Sequence, residues 1–253
     1  MQKINLYIVE YLNSLPFLKG LDGYHIDNLL LNINKAIPAL CAKAFHSGEA
    51  DIALLPIGAL LENEYSLFSD YCIGCDGHVQ TVCVFSNKPS LDEIKTIAFD
   101  PASRTSNLLL EILLKYHWKN NDIKLMDPIN HTDAKLIIGD AAFIESQNSK
   151  TIIDLGAEWK KFTGLPFVFA VWVSKNTLNP KLIEQFNQCF EFGLKQIADI
   201  SENYKLLSKQ IAFEYLTKYI SYSFDEKKKQ ALNLFLYYAN ELSKSKTVNT
   251  INA

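Results

Sequence analysis

The chain has 253 residues, of which 48% are hydrophobic and 21% charged, and its formal net charge is −3. This composition supports a buried core rather than disorder, and the length fits one large domain or two ordinary lobes. Basic residues are scattered, which argues against a nucleic-acid partner. The longest basic run, Lys227-Lys228-Lys229, reads as the solvated face of a helix.

In chain order, Lys3 to Val9 alternates as a strand, followed by a loop and a helix around residues 14–20. Leu29 to Ile33 reads as a second strand. Pro38 opens a helix that Gly48 closes, and Asp51 to Pro56 is a third strand before a short helix, Ile57 to Glu62. This β-α-β-α-β-α order predicts a largely parallel sheet with helices on its faces. Val79 to Ser86 is a strand, and Ser90-Leu91-Asp92-Glu93 predicts a capping box for a short helix. Thr96 to Phe99 is a strand that runs into Asp100-Pro101-Ala102-Ser103-Arg104-Thr105-Ser106, ahead of an apolar helix from Leu108 to Tyr116. Ile123 to Met126, Lys135 to Ile138 and Thr151 to Asp154 supply further strands, and Phe167 to Val173 reads as fully buried. From Asn179-Pro180 the chain turns helical. Asp225 is placed as the cap of a last amphipathic helix, with a frayed polar tail from Ser243.

The N-terminus lacks the apolar run and cleavage site of a secretion signal. The longest apolar run is far too short to span a bilayer. A cytoplasmic chain without a membrane partner is expected. Five cysteines (Cys41, Cys72, Cys75, Cys83, Cys189) suit that compartment as thiols. Cys72-Ile73-Gly74-Cys75 has zinc or redox spacing with His78 nearby, but no second ligand pair accompanies it. Gly74 and Gly77 suggest a turn there. Packing cysteines and no readable metal site are expected.

Two α/β units joined by two extended strands, with helices at the end, give a two-lobed protein of the periplasmic-binding-protein type II fold, with a cleft between the lobes. Lobe one would combine 1–87 with 174–253, and lobe two would be 88–173.

Four segments add a resemblance: YLNSLPF (11–17), DIALLPIGAL (51–60), DPASRTS (100–106), and IIGDAA (137–142) with TGLPFVFAVWV (163–173). In this order and at these separations they resemble the chorismate dehydratase family of the futalosine route to menaquinone. The resemblance runs from residue 5 to about 240. It implies an α/β fold of the binding-protein type used as a carbon–oxygen lyase. Water would be removed from chorismate to give 3-[(1-carboxyvinyl)oxy]benzoate, without metal or organic cofactor. The sister family, which cleaves cyclic dehypoxanthinylfutalosine, carries a Ser-Pro-Cys-Pro-Asn-Asp type of opening where this chain has YLNSLPF. A non-catalytic small-anion binding protein is a further alternative, but it would normally carry a secretion signal. A ligand-sensing regulatory domain would need an attached helix-turn-helix. Oligomeric state is left open.

Chorismate is a dianion, so its site needs anion donors and a hydroxyl partner. Ser103, Arg104, Thr105 and Ser106 stand where a strand ends and a helix begins, a place that favours an anion and gives Arg104 a carboxylate to clamp. An N-cap with an exposed arginine is the plainer reading. The resemblance assigns turnover to Asn13 and to a hydroxyl residue, here Thr81 where the family usually has Ser. Ser14 joins Asn13 as a substrate-facing residue. The plainer readings are helix capping for Asn13 and strand packing for Thr81. Asp140 either binds a substrate hydroxyl or ties down the next helix. Phe167 or Phe169 either touches the ligand ring or belongs to the core.

Overall fold

Residues 2–27, 29–62, 64–128 and 131–251 are described by a computed structural model. They divide into two compact units, Met1–Cys75 with Val168–Asp225, and Asp76–Phe167 with Glu226–Ala253. The division differs from the one read from sequence. Residues 76–87 and the helix from Glu226 belong to the second unit, and the return crossing falls at Phe167–Val168.

In the first unit, β1 (Gln2–Val9) leads through a 3-10 turn, Leu12–Ser14, into α1 (Leu15–Gly23). Then come β2 (Leu29–Ala36), α2 (Pro38–Ser47), β3 (Ile52–Pro56), a 3-10 turn (Ile57–Leu61) and β4 (Ser66–Cys75). Gly48 closes α2 at φ 90°, the left-handed geometry that favours glycine. β4 corrects the reading of a turn around Gly74, because Cys72 and Cys75 lie within a strand and are fully buried.

The second unit holds β5 (Val82–Ser86), β6 (Thr96–Ala98), α3 (Arg104–Ile112), β7 (Lys124–Met126) and β8 (Ala134–Ile138). It continues with α4 (Ala141–Glu145), β9 (Thr151–Asp154) and α5 (Leu155–Thr163). The chain returns to the first unit along β10 (Phe167–Ser174), followed by α6 (Pro180–Leu194), α7 (Ile197–Asn203), α8 (Lys209–Glu214) and β11 (Ser221–Ser223). The last helix, α9 (Glu226–Ile251), belongs to the second unit. It continues through the segment read as a frayed tail. Ser90 makes no side-chain cap, so the expected capping box is a single 3-10 turn, Leu91–Glu93.

The first sheet has the order β11-β4-β10-β3-β1-β2 and the second β7-β6-β8-β5-β9. β1 runs parallel to β2 and β3, and β10 antiparallel to β3. In the second sheet β6 runs parallel to β7 and β8, and β5 antiparallel to β8 and β9. Each sheet thus sets an antiparallel strand beside its third parallel one, which the sequence reading of largely parallel order did not distinguish.

The first unit's core is aromatic. Trp172 stacks on Phe190 at 4.5 Å, and Phe17 meets Trp172, Phe190 and Tyr222 edge-on at 5.6, 4.9 and 5.4 Å. Such pairs add about 0.5–1.5 kcal/mol each beyond their buried area. Helix α6 lies backbone to backbone on α1. A Cβ on Gly193 would run into Pro16 O, and one on Gly20 into Cys189 O.

In the second unit Trp159 packs on Phe167 and Phe235 at 5.3 and 6.4 Å. The inward stripe of α9 contains Leu232, Phe235, Ala239 and Leu242, and it begins at Lys228, which is 2% exposed. The basic run is therefore not uniformly solvated, because helical spacing puts Lys228 on the buried face. Among the described residues no helix is long and apolar enough to cross a membrane.

Candidate functional site

The elbow of the first unit follows the carboxyl end of β1, the end at which ligands bind in open α/β sheets. Tyr11 is extended, at φ −125° and ψ 162°, and Leu12–Ser14 then closes a 3-10 turn that Pro16 continues as a helix. Asn13 is half-buried and its amide is held from two sides. Nδ2 donates to Tyr215 Oη at 3.2 Å, and Ser14 Oγ donates to Oδ1 at 3.2 Å. Tyr222 Oη donates to the Asn13 carbonyl at 2.9 Å. Burial pushes the Tyr222 phenol well up, with Tyr215 adding to the effect, so it stays a neutral donor.

Asn13 makes no side-chain cap of α1. Ser14 differs from its expected substrate-facing role. It is fully buried, and its hydroxyl is directed to Asn13. Tyr215 opens a π-helical turn, Tyr215–Tyr219, of a kind that recurs at functional sites.

In the second unit a turn gathers at the carboxyl ends of β6 and β8. Ser103 is the N-cap of α3. Its Oγ accepts from Ser106 N at 3.1 Å and lies 2.9 Å from Ser106 Oγ. The helix begins at Arg104, one turn earlier than the apolar pattern predicted, because the cap and not the apolar stripe fixes its start. Ser103, Thr105 and Ser106 are buried and Arg104 is exposed.

Asp100, which the sequence reading did not single out, holds this turn. Its Oδ1 accepts from Ala102 N at 2.8 Å and its Oδ2 from Ile138 N at 3.1 Å. Asn107 brackets it, accepting from Asp100 N and donating to Asp100 O. Burial raises the Asp100 carboxyl, opposed by those two backbone donors.

Gly139 N then donates to Thr81 O at 2.8 Å, which sets Thr81 beside the same strand end. Thr81 is buried, and its hydroxyl lies 3.5 Å from Val79 O. The residue before it, Gln80, sits at φ 65°, a left-handed conformation costly for a side chain with a Cβ. Asp154 holds that bend. Its Oδ2 accepts from Val79 N and Gln80 N at 2.9 and 2.8 Å, while its Oδ1 caps α5 through Ala157 N at 3.1 Å.

Thr81, Ser103–Ser106 and the Gly139-Asp140 corner are thus joined by hydrogen bonds. The Asp140 side chain makes no cap of α4. Phe167 lies apart. It is 1% exposed between Trp159 and Phe235, at 5.3 and 5.5 Å, so the expected ring contact with a ligand gives way to a core role. Phe169 is half-buried on β10. Among the described residues no three His, Cys, Asp or Glu side chains gather where a metal could be held.

The sequence matches the family described as menaquinone biosynthesis over residues 4–241. Two curated relatives are named chorismate dehydratase. The one from Campylobacter jejuni is 26% identical over 238 residues, covering 90% of this chain and 94% of its own. The one from Thermus thermophilus is 26% identical over 233 residues, covering 80% and 82%.

Solved structures share the fold at lower identity. An Archaeoglobus fulgidus protein has a TM-score of 0.67 at 18% identity, over 96% of this chain and 98% of that one. A Candida albicans protein described as having the generic periplasmic-binding-protein fold has a TM-score of 0.64 at 15% identity, over 93% and 90%. The alkanesulfonate-binding protein SsuA of Xanthomonas axonopodis pv. citri has a TM-score of 0.60 at 18% identity, over 95% and 93%. These likenesses, with the order of both sheets, make the fold that of the periplasmic binding proteins. By its match over nearly its whole length, the chain belongs to the menaquinone biosynthesis family.

Proposed function

We propose that the protein is a chorismate dehydratase, a hydro-lyase that converts chorismate to 3-[(1-carboxyvinyl)oxy]benzoate and water. The observation that carries this reading is the similarity, over four fifths of the chain or more, to two relatives of that name. The chemistry of the site residues agrees with it. A hydroxyl-rich helix start with an exposed Arg104 suits a carboxylate, and a clamped, half-buried amide suits a departing hydroxyl.

Elimination takes the hydrogen from ring C3 and the hydroxyl from C4, and the ring becomes aromatic. The C3 hydrogen is activated through the ring double bond by the carboxylate. In this reading Asn13 donates to the leaving hydroxyl and Ser103–Ser106 hold a carboxylate, with Arg104 as its counter-ion. Thr81 supplies a hydroxyl or, through its backbone, the shape of the same corner. None of these side chains is a strong base, so the proton passes to a carboxylate of the substrate itself. That proton is passed on to the departing C4 hydroxyl, so the C3 hydrogen and the C4 hydroxyl together leave as one water, which balances the reaction.

The test is incubation of the purified protein with chorismate, followed by mass and ultraviolet detection of the product. An aromatic product lighter than chorismate by one water is expected. Intact chorismate, together with cleavage of cyclic dehypoxanthinylfutalosine in a parallel arm, would overturn the reading in favour of the sister lyase.

A further inference from the structure

Asn13 sits near the start of the chain, and two of its holders come from the far end. Tyr215 and Tyr222 lie 202 and 209 residues downstream, yet one meets the Asn13 side chain and the other its carbonyl. Both tyrosines are buried, at 1% and 8% exposure. Tyr222 also packs edge-on against Phe17, four residues past the elbow, at 5.4 Å. The carbonyl and the ring contact together fix the backbone of the turn. Among the described residues, the amide plane is then oriented by Tyr215 and Ser14.

A primary amide offers two N–H groups and a carbonyl. Tyr215 takes one N–H and Ser14 occupies one side of Oδ1, so among the described residues one N–H and one lone pair remain for a ligand. If either holder is removed, the amide can rotate about its terminal torsion, which is intrinsically broad, and the remaining N–H loses its fixed direction. Correct aim is worth a great deal in a polar site, where a displacement of about 1 Å can cost on the order of a hundredfold in rate.

The tyrosine's placement is itself unusual. It is the first residue of the π-helical turn Tyr215–Tyr219, which follows α8 directly. A π-turn adds a residue to the helical register and re-aims the side chains that flank it. Here the re-aimed side chain is the one that reaches Asn13.

We propose that Tyr215 is a positioning residue for the reaction: its buried phenol oxygen, presented by a π-helical turn, fixes the plane of the Asn13 amide so that the second N–H points at the substrate. The function rests on the dehydratase reading, but the fixing of the amide does not, and the two can be tested separately. Tyr215→Phe keeps the ring and its packing and removes only the oxygen.

The first measurement is independent of any substrate. In protein labelled with ¹⁵N at asparagine, the side-chain N–H pair of Asn13 is identified by its loss in Asn13→Ala. In the wild type it should be well resolved and slow to exchange with solvent. In Tyr215→Phe it should move and exchange faster. An unchanged pair overturns the proposal whatever the substrate is.

The second measurement is a kinetic cycle on chorismate with wild type, Tyr215→Phe, Asn13→Ala and the double variant. Tyr215→Phe should lower kcat by about tenfold to a hundredfold, with KM little changed, and should cost nothing further in the Asn13→Ala background. An equal loss in both backgrounds, or full kcat in Tyr215→Phe, overturns it. If Tyr215→Phe does not fold, Ser14→Ala removes the opposite holder and should give the same pattern in both measurements. Asn13→Ala with full activity would instead refute the role of Asn13 in turnover and leave the amide measurement to decide the clamp.

Discussion

The turn of the second unit is held by near neighbours, whereas the elbow of the first is held by residues two hundred positions away. Asp100 is bracketed by Asn107 and bonds Ala102, and Ser103 is bonded to Ser106. A hydrogen bond from Ile138 N to Asp100 Oδ2 ties that loop to the adjacent strand. Asn13 by contrast depends on Tyr215 and Tyr222, which arrive only after the chain has left the first unit and returned along β10. Local hydrogen bonds of the first kind close short loops at low entropic cost, and long-range ones close after the rest of the unit has packed. The helix start of the second unit is therefore built largely by its own segment, and the amide of the first is aimed by tertiary structure.

The largest effect is expected from changing the amide itself. In Asn13→Asp both flanking hydroxyls, Ser14 and Tyr215, can turn and donate to the new carboxylate, so the melting temperature should stay near that of the wild type. A new negative charge about 4 Å from one carboxylate of the dianionic substrate is unfavourable by roughly 4 kcal/mol at an effective dielectric near 20. Half of that still slows turnover by more than about tenfold. Steady-state kinetics and a thermal melt on one preparation check both halves. Full activity would return Asn13 to a structural role.

Arg104→Ala comes next and concerns the other unit. A charge-assisted pair contributes about 1.5–3 kcal/mol, so KM for chorismate should rise by roughly tenfold to a hundredfold. The exposed side chain is not core, and the fold should persist. A KM unchanged from wild type removes Arg104 from the site.

Asp154→Ala tests the support of the second unit rather than its chemistry. Loss of the α5 cap costs about 1 kcal/mol, and leaving the Val79 and Gln80 amides without their acceptor adds about 1–3 kcal/mol. Urea unfolding should show a loss of about 2–4 kcal/mol, with amide exchange accelerating first in β5 and β9. Protection lost first in β1 and β3 would mean that the two units do not depend on separate supports.

The smallest effect is expected at the cysteines. All five are buried, and burial pushes the Cys41 and Cys189 thiols up to about 12. A thiol reagent at neutral pH should label none of them in the native protein and all of them after denaturation, with turnover unchanged by exposure to the reagent. Rapid labelling of Cys72 or Cys75 would contradict their placement in β4.

The same contrast explains what the sequence disclosed. The β1, α2, β3 and β9 segments are plain in it because their periods, proline and glycine signals are local. Ser103 through Ser106 are legible as a helix start for the same reason, since a cap and its partner lie three residues apart. Asp100 was not singled out, because its bond to Ile138 depends on strand order. Tyr215 and Tyr222 carry no local mark that connects them to Asn13. Ser14 and Phe167 were placed against the ligand because their motifs sit at strand ends, whereas packing turned the first toward Asn13 and the second between Trp159 and Phe235. Lys228 was read from its two charged neighbours when the deciding signal was its spacing from Leu232 and Phe235.

The central claim is that this chain aromatises chorismate by removing the C3 hydrogen together with the C4 hydroxyl. Chorismate carrying deuterium at ring C3 tests it in one mass spectrum. The account predicts an aromatic product that has lost the label entirely, with the deuterium recovered in solvent. A product that keeps the deuterium, or substrate returned unchanged by protein shown to be folded, would contradict it.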